Sequence, residues 1–63
     1  MAPKGYVELF GTLLHTTELA LMADLGFTEV VWIPKSVTED WPDIDESGEF
    51  LIKESFAKDK GWI

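Results

Sequence analysis

Phe27-Thr28-Glu29-Val30-Val31-Trp32-Ile33-Pro34 is the stretch that sets the fold class. Its β-branched and aromatic side chains suit a pleated, half-buried surface better than a helix. Alternation places Val30 and Trp32 on one side and Glu29, Val31 and Ile33 on the other. Pro34 has no N–H to give a ladder, so it ends the strand or lies on a sheet edge.

Working back from this strand, Asp24-Leu25-Gly26 has the composition of a three-residue hairpin loop, with Gly26 at its left-handed position. Thr17 to Ala23 contains good helix formers, but it is short and alternates Leu19, Leu21 and Ala23 between two turn-like segments, so it is predicted as a strand. Tyr6 to His15 is predicted as another strand. Val7, Leu9, Gly11 and Leu13 share one face, and Tyr6, Glu8, Phe10, Thr12 and Leu14 share the other. Both faces carry apolar residues, which fits a strongly bent strand, and Gly11 is a candidate for a bulge, a bend or the close approach of another backbone. No linker is read beyond Met1 to Lys4.

Working forward, Ser36 and Glu39 have the spacing of a capping box, which predicts a single helical turn. An acidic segment follows, then a fourth strand, Gly48 to Lys53. Glu54 to Lys60 is predicted as a short helix, with Gly61 as its left-handed cap and Trp62 folding back on Phe56 or Ala57. The fold class expected is therefore mainly β with a minor α component. It is a four- to five-stranded antiparallel SH3-like or OB-like barrel with a short C-terminal helix, formed by residues 1–63 as a single domain.

Sixty-three residues leave room for only a small core, and a chain this size buries about 60% of the surface its unfolded form exposes. A second copy is a candidate to cover part of the apolar surface, making a homo-oligomer one expectation. With no cysteine, disulfides, thiolate metal sites and cysteine nucleophiles are excluded. No apolar run approaches the roughly 20 residues of a membrane span, and no signal-peptide pattern opens the chain. The expectation is a soluble protein of the cytoplasm, with no membrane partner and no cofactor.

Six of the twelve Asp and Glu residues fall between Thr38 and Glu49, a stretch without Lys or Arg; its charge of −6 accounts for nearly all of the net −7. A field so localised attracts a metal ion or a basic protein surface. The chain also lacks Arg, Asn and Gln altogether, the residues that read base edges. Five lysines against twelve acids cannot form a basic stripe, so double-stranded nucleic acid is not an expected partner. A single-stranded nucleic-acid barrel is the third alternative, and it too lacks the positive groove that accompanies base stacking.

Asp43, Asp45, Ser47, Gly48, Phe50 and Glu54 occupy positions 1, 3, 5, 6, 8 and 12 of an EF-hand calcium loop, with the Glu49 carbonyl at position 7. Trp41-Pro42 just ahead of Asp43 disfavours the incoming helix that such a loop needs. The favoured reading is a solvated acidic loop with no metal, and calcium binding by Asp43, Asp45, Ser47, Glu49 and Glu54 is the alternative.

His15 is the one histidine, and no partner stands at a telling spacing, so a surface or turn role is expected of it. Paired carboxylates can serve glycosidase chemistry only with a cleft and a buried acid, for which so short a chain has little room. The chain is expected not to be an enzyme. Trp32 and Trp62 are read as core and cap packing. Trp41, within the acidic stretch, is either a lid over the core or an anchor for a partner, and small cores favour the lid.

Val31-Trp32-Ile33-Pro34-Lys35-Ser36, the opening Tyr6-Val7-Glu8-Leu9 and the close Phe56-Ala57-Lys58-Asp59-Lys60-Gly61-Trp62-Ile63 resemble a group of small, mostly uncharacterised phage and prophage proteins. In these a VWIPKS-type strand is followed by an acidic loop and a tail resembling EWLAxxKGLI. The chain departs from that pattern at Val37, Lys53 and Phe56, where Gln, Pro and Trp are expected. The resemblance implies a phage or mobile-element origin and assigns no functional residue. Together these readings lead to a non-enzymatic protein that contacts a basic protein surface. Its site would comprise Glu39, Asp40, Trp41, Asp43, Asp45 and Glu46, and one version is a DNA-mimic-like inhibitor of a host or defence enzyme.

Overall fold

A computed structural model describes residues 2–63 and holds five antiparallel strands in one sheet: β1 (Tyr6–Thr16), β2 (Ala20–Asp24), β3 (Val31–Pro34), β4 (Thr38–Asp40) and β5 (Ser47–Lys53). A six-residue helix, α1 (Glu54–Asp59), follows β5 directly. The sheet order is β3-β2-β1-β5-β4, which places β3 and β4 at the two edges. Of the Met1–Lys4 lead-in, Met1 lies outside the described residues, and Pro3 already belongs to the structure through a bond from the Tyr6 N–H to its carbonyl (3.1 Å).

The two edge strands are joined by one 3-10 turn, Lys35–Val37. Laid flat, five strands would hold their edges roughly 19 Å apart. A 3-10 path from Pro34 to Thr38 covers only about 8 Å. The sheet must therefore curl until its edges meet at this corner, where the Thr38 hydroxyl donates to the Pro34 carbonyl (3.1 Å). β1 and β2, β2 and β3, and β4 and β5 pair as neighbours in the chain, and β5 returns beside β1. No ladder joins β3 to β4 among the described residues, so the ring stays unsealed along that seam.

The core lies inside the curl and consists of Leu13, Leu21, Ala23, Ile33, Phe50, Ile52 and Ala57, each at most 1% exposed. Leu21, Ala23 and Ile33 occupy the inward positions of β2 and β3, as alternation requires. The same parity turns Trp32 outward, and it is 51% exposed, so the expected core role of this tryptophan is overturned. Size favoured burial of Trp32, but its strand position does not allow it.

Gly11 admits another backbone, as expected, and is not the site of the bulge. A Cβ there would lie 2.4 Å from the Asp24 carbonyl oxygen and 2.6 Å from Leu25 Cδ2, so the missing side chain admits another backbone. The bulge in β1 falls instead between Leu13 and His15. This crossing also corrects the extent of the third strand. After Asp24 the chain leaves the sheet over Gly11, and Leu25 to Val30 form a loop rather than a three-residue turn. Gly26 does take the left-handed conformation (φ 87°). Phe27 stacks on Trp62 (ring centroids 5.9 Å apart), a contact that a continued strand would not make.

The C-terminus follows expectation closely. Gly61 has φ 77°, its N–H bonds to the Lys58 carbonyl (3.0 Å), and the Trp62 N–H bonds to the Ala57 carbonyl (2.9 Å). This is the two-bond pattern of a Schellman cap, and Trp62 meets Phe56 edge-on at 5.5 Å. The helical turn after Pro34 forms two residues earlier than the capping box predicts, with Pro34 in place of Ser36 as N-cap and no side-chain cap hydrogen bond, so no capping box operates.

Candidate functional site: an acid-rimmed cleft

The acidic stretch is not one loop. Its first three residues form β4, which pairs with β5 through Thr38 opposite Ile52 and Asp40 opposite Leu51. Glu and Asp are poor strand formers. The strand forms because Thr38 is buried, next to Ile52, and carries the following residues into register. Glu39 is the extra residue of a bulge on this edge and lies 3.5 Å from the Tyr6 hydroxyl.

The last part of the stretch is a tight turn. The Glu46 N–H bonds to the Asp43 carbonyl (3.0 Å), with Asp45 at positive φ (67°). Both backbone groups of Leu13 hold this turn: its N–H donates to the Glu46 carbonyl (3.1 Å) and its carbonyl accepts from the Asp45 N–H (2.7 Å). Asp43, Asp45 and Glu46 are exposed on this fixed turn.

Between β4 and the turn, Trp41 and Pro42 cross on the core side of β5. Pro42 lies against Gly48, where a Cβ would approach within 3.2 Å. Trp41 is half-buried, packs against the core and has Lys35 Nζ 5.9 Å from its ring centroid. It thus covers the core, as a lid does, and also lines a cleft.

That cleft, of about 470 Å³, is lined by Glu8, Asp40, Trp41, Pro42, Gly48, Glu49 and Leu51. Register explains the convergence. Glu8 of β1 faces Leu51 of β5, and Asp40 of β4 faces Leu51 from the other side. Glu49 is two positions along β5 and so on the same face, opposite Phe10, which is 67% exposed. Three carboxylates from three strands thus share the cleft with the apolar Trp41, Pro42 and Leu51, and no lysine is among the described residues that line it.

Of the six residues expected to form the site, Asp40 and Trp41 enter the cleft, Glu39 stands beside Tyr6, and Asp43, Asp45 and Glu46 form the separate turn. Glu8 was missed as a site residue. Its outward position in the first strand was readable, but its pairing opposite Leu51, 43 residues away, was not.

The five calcium positions are not brought together. Ser47 and Glu49 are in an extended strand, and Ser47 Oγ shares a hydrogen bond with Thr12 Oγ1 (2.8 Å). Glu54 lies at the far end of that strand, roughly 20 Å of extended chain from Ser47, and pairs with Lys58 (3.2 Å). Among the described residues no three His, Cys, Asp or Glu side chains are grouped to hold a metal. His15 is exposed at the end of β1, opposite Met22. Among the described residues no helix is long and apolar enough to cross a membrane.

Comparison with protein families, curated proteins and solved structures finds no match for this chain.

Proposed function

We propose that this is a non-enzymatic protein of phage type, working in the host cytoplasm by contact with a basic surface of another protein. The observation that carries the reading is the convergence of Glu8, Asp40 and Glu49 around Trp41, Pro42 and Leu51 in one open cleft. A lysine or arginine side chain suits such a site. Its aliphatic stem would cover the apolar side chains while its charge meets the carboxylates. The Lys35 ammonium already faces the Trp41 ring, an arrangement that a partner's cation could reproduce. The acidic turn adds long-range attraction and speeds encounter. Where the basic surface is a nucleic-acid site, occupancy would block it, which is the DNA-mimic form of the reading.

The test is capture from bacterial lysate on the immobilised protein at about 50 mM and about 500 mM salt, a range across which screening of exposed charges becomes severe. A specific partner should be retained at the lower salt and lost at the higher. The triple variant Glu8→Gln/Asp40→Asn/Glu49→Gln should weaken binding about 100-fold. Asp43→Asn/Asp45→Asn/Glu46→Gln should mainly slow association, by several-fold. Capture that survives high salt, or that ignores the cleft variant, would sink the reading.

A further inference from the structure

We propose that the outer face of β1 and β5 docks a basic, amphipathic segment of a partner protein, with Phe10 as the apolar anchor. This deepens the partner contact above and rests on it, since the face continues from the cleft through Glu8, Glu49 and Leu51. Register builds the face. Glu8 stands opposite Leu51 and Phe10 opposite Glu49, at positions that alternate with the inward Phe50 and Ile52. Each acid therefore faces an apolar residue, and the four form a checkerboard. Phe10 and Leu51 lie on one diagonal, Glu8 and Glu49 on the other. Diagonal neighbours in a sheet are about 7–8 Å apart. Lys53, opposite Tyr6, bounds the face at one end; Thr12 and Ser47, whose hydroxyls share a hydrogen bond (2.8 Å), bound it at the other.

Phe10 is 67% exposed, more than any other aromatic side chain among the described residues. The ladder to β2 starts two residues later, at Thr12 opposite Asp24, so among the described residues no strand lies beside Phe10 on that side. Charge selects the occupant. Glu49 is directly across from Phe10, Glu8 is two positions along the same strand, and Asp40 lies beyond Leu51. These carboxylates repel nucleic acid and anionic membrane, and face to face they repel a second copy, whose own Glu8 and Glu49 would oppose them. A purely basic segment would leave Phe10 in water, and a purely apolar one would leave the acids unpaired. What complements the checkerboard is a lysine or arginine and a large apolar side chain roughly 6–7 Å apart on one face. Residues two apart in a strand or four apart in a helix have that spacing. The carboxylates then supply the part of the affinity that salt screens, and Phe10 the part that it does not.

Two end-blocked peptides of equal charge test this, Lys-Ser-Leu-Ser-Lys and Lys-Ser-Ser-Ser-Lys, titrated by NMR into the whole chain at about 50 mM and about 500 mM salt. Both should bind more weakly at the higher salt. At either salt the leucine peptide should bind about fivefold more tightly than the serine peptide. Phe10→Thr should bring the leucine peptide down to the level of the serine peptide, with thermal melts showing that the variant is folded, since the side chain is exposed. Glu8→Gln/Glu49→Gln should weaken both peptides. The peptide pair reads the anchor on the parent chain alone, so the test does not depend on any one variant. Salt-sensitive binding with no gain from leucine, or with a gain that survives Phe10→Thr, overturns this inference and leaves the cleft reading standing. Binding of neither peptide, or binding indifferent to salt, overturns both. Sedimentation that shows a dimer of the parent, lost in Phe10→Thr, also overturns the inference, because a second copy then covers the face.

Discussion

The sheet has two halves that share β1 and are built differently. On one side β2 and β3 carry apolar residues on both faces, few charges and an uncovered Trp32. On the other, β5 and β4 bury Phe50, Ile52 and Thr38 inward and direct acids outward. The inner surfaces are equivalent, and the core does not distinguish them. What differs is the exterior, so a sheet this small can assign its two edges to different tasks without altering its interior. The apolar edge leaves Trp32 uncovered, and the acidic side carries the carboxylates of the cleft.

The strongest way to break this arrangement is at Gly11, where the chain leaving β2 crosses β1. Gly11→Ala puts a methyl 2.4 Å from the Asp24 carbonyl. The loss should be about 3 kcal/mol, the upper end of ordinary overpacking. Total stability at this length is about 3–9 kcal/mol, so the variant should lose between a third and all of it. Urea unfolding monitored by tryptophan fluorescence measures this, and a loss near zero would mean that the crossing is not tight. A smaller effect is expected at the corner where the two edges meet. Thr38→Val keeps the shape but removes the hydroxyl that holds Pro34, and should cost about 1 kcal/mol by the same assay. An unchanged midpoint would assign the corner to its backbone bond from Thr38 N–H to the Lys35 carbonyl. The smallest change has the opposite sign. Asp45→Gly relieves a left-handed backbone (φ 67°) and should stabilise the turn by about 0.5 kcal/mol. A loss there would show that the Asp45 side chain supports the turn.

The two halves also differed in how far they could be read. The strand character of Tyr6–Thr16, Val31–Pro34 and Ser47–Lys53 lies in alternation and β-branching, and the Gly61-Trp62 cap in local geometry, so these were legible. Phe27 to Val30 have equally good strand composition, yet they lie off the sheet, where Phe27 meets Trp62. β4 has poor strand composition and exists because pairing with β5 imposes it. The cleft was half legible. Asp40 and Trp41 were marked by their place in the acidic stretch, whereas Glu8 and Leu51 join them only through cross-strand register, which no local pattern encodes.

Leu13 gives the acidic turn a property that its charge count does not suggest. Because its N–H and carbonyl are both bonded to the turn, Asp43, Asp45 and Glu46 are mounted on the core strand itself. A loop of that composition, left free, would lose about 1–2 kcal/mol per residue of backbone entropy on being ordered by a partner. Here that ordering is completed during folding, so the field is already fixed in direction when a partner arrives, and association draws less on the contact energy. Hydrogen exchange should register the same fact, with the amides of Leu13, Asp45 and Glu46 exchanging as slowly as those of the ladder beside them.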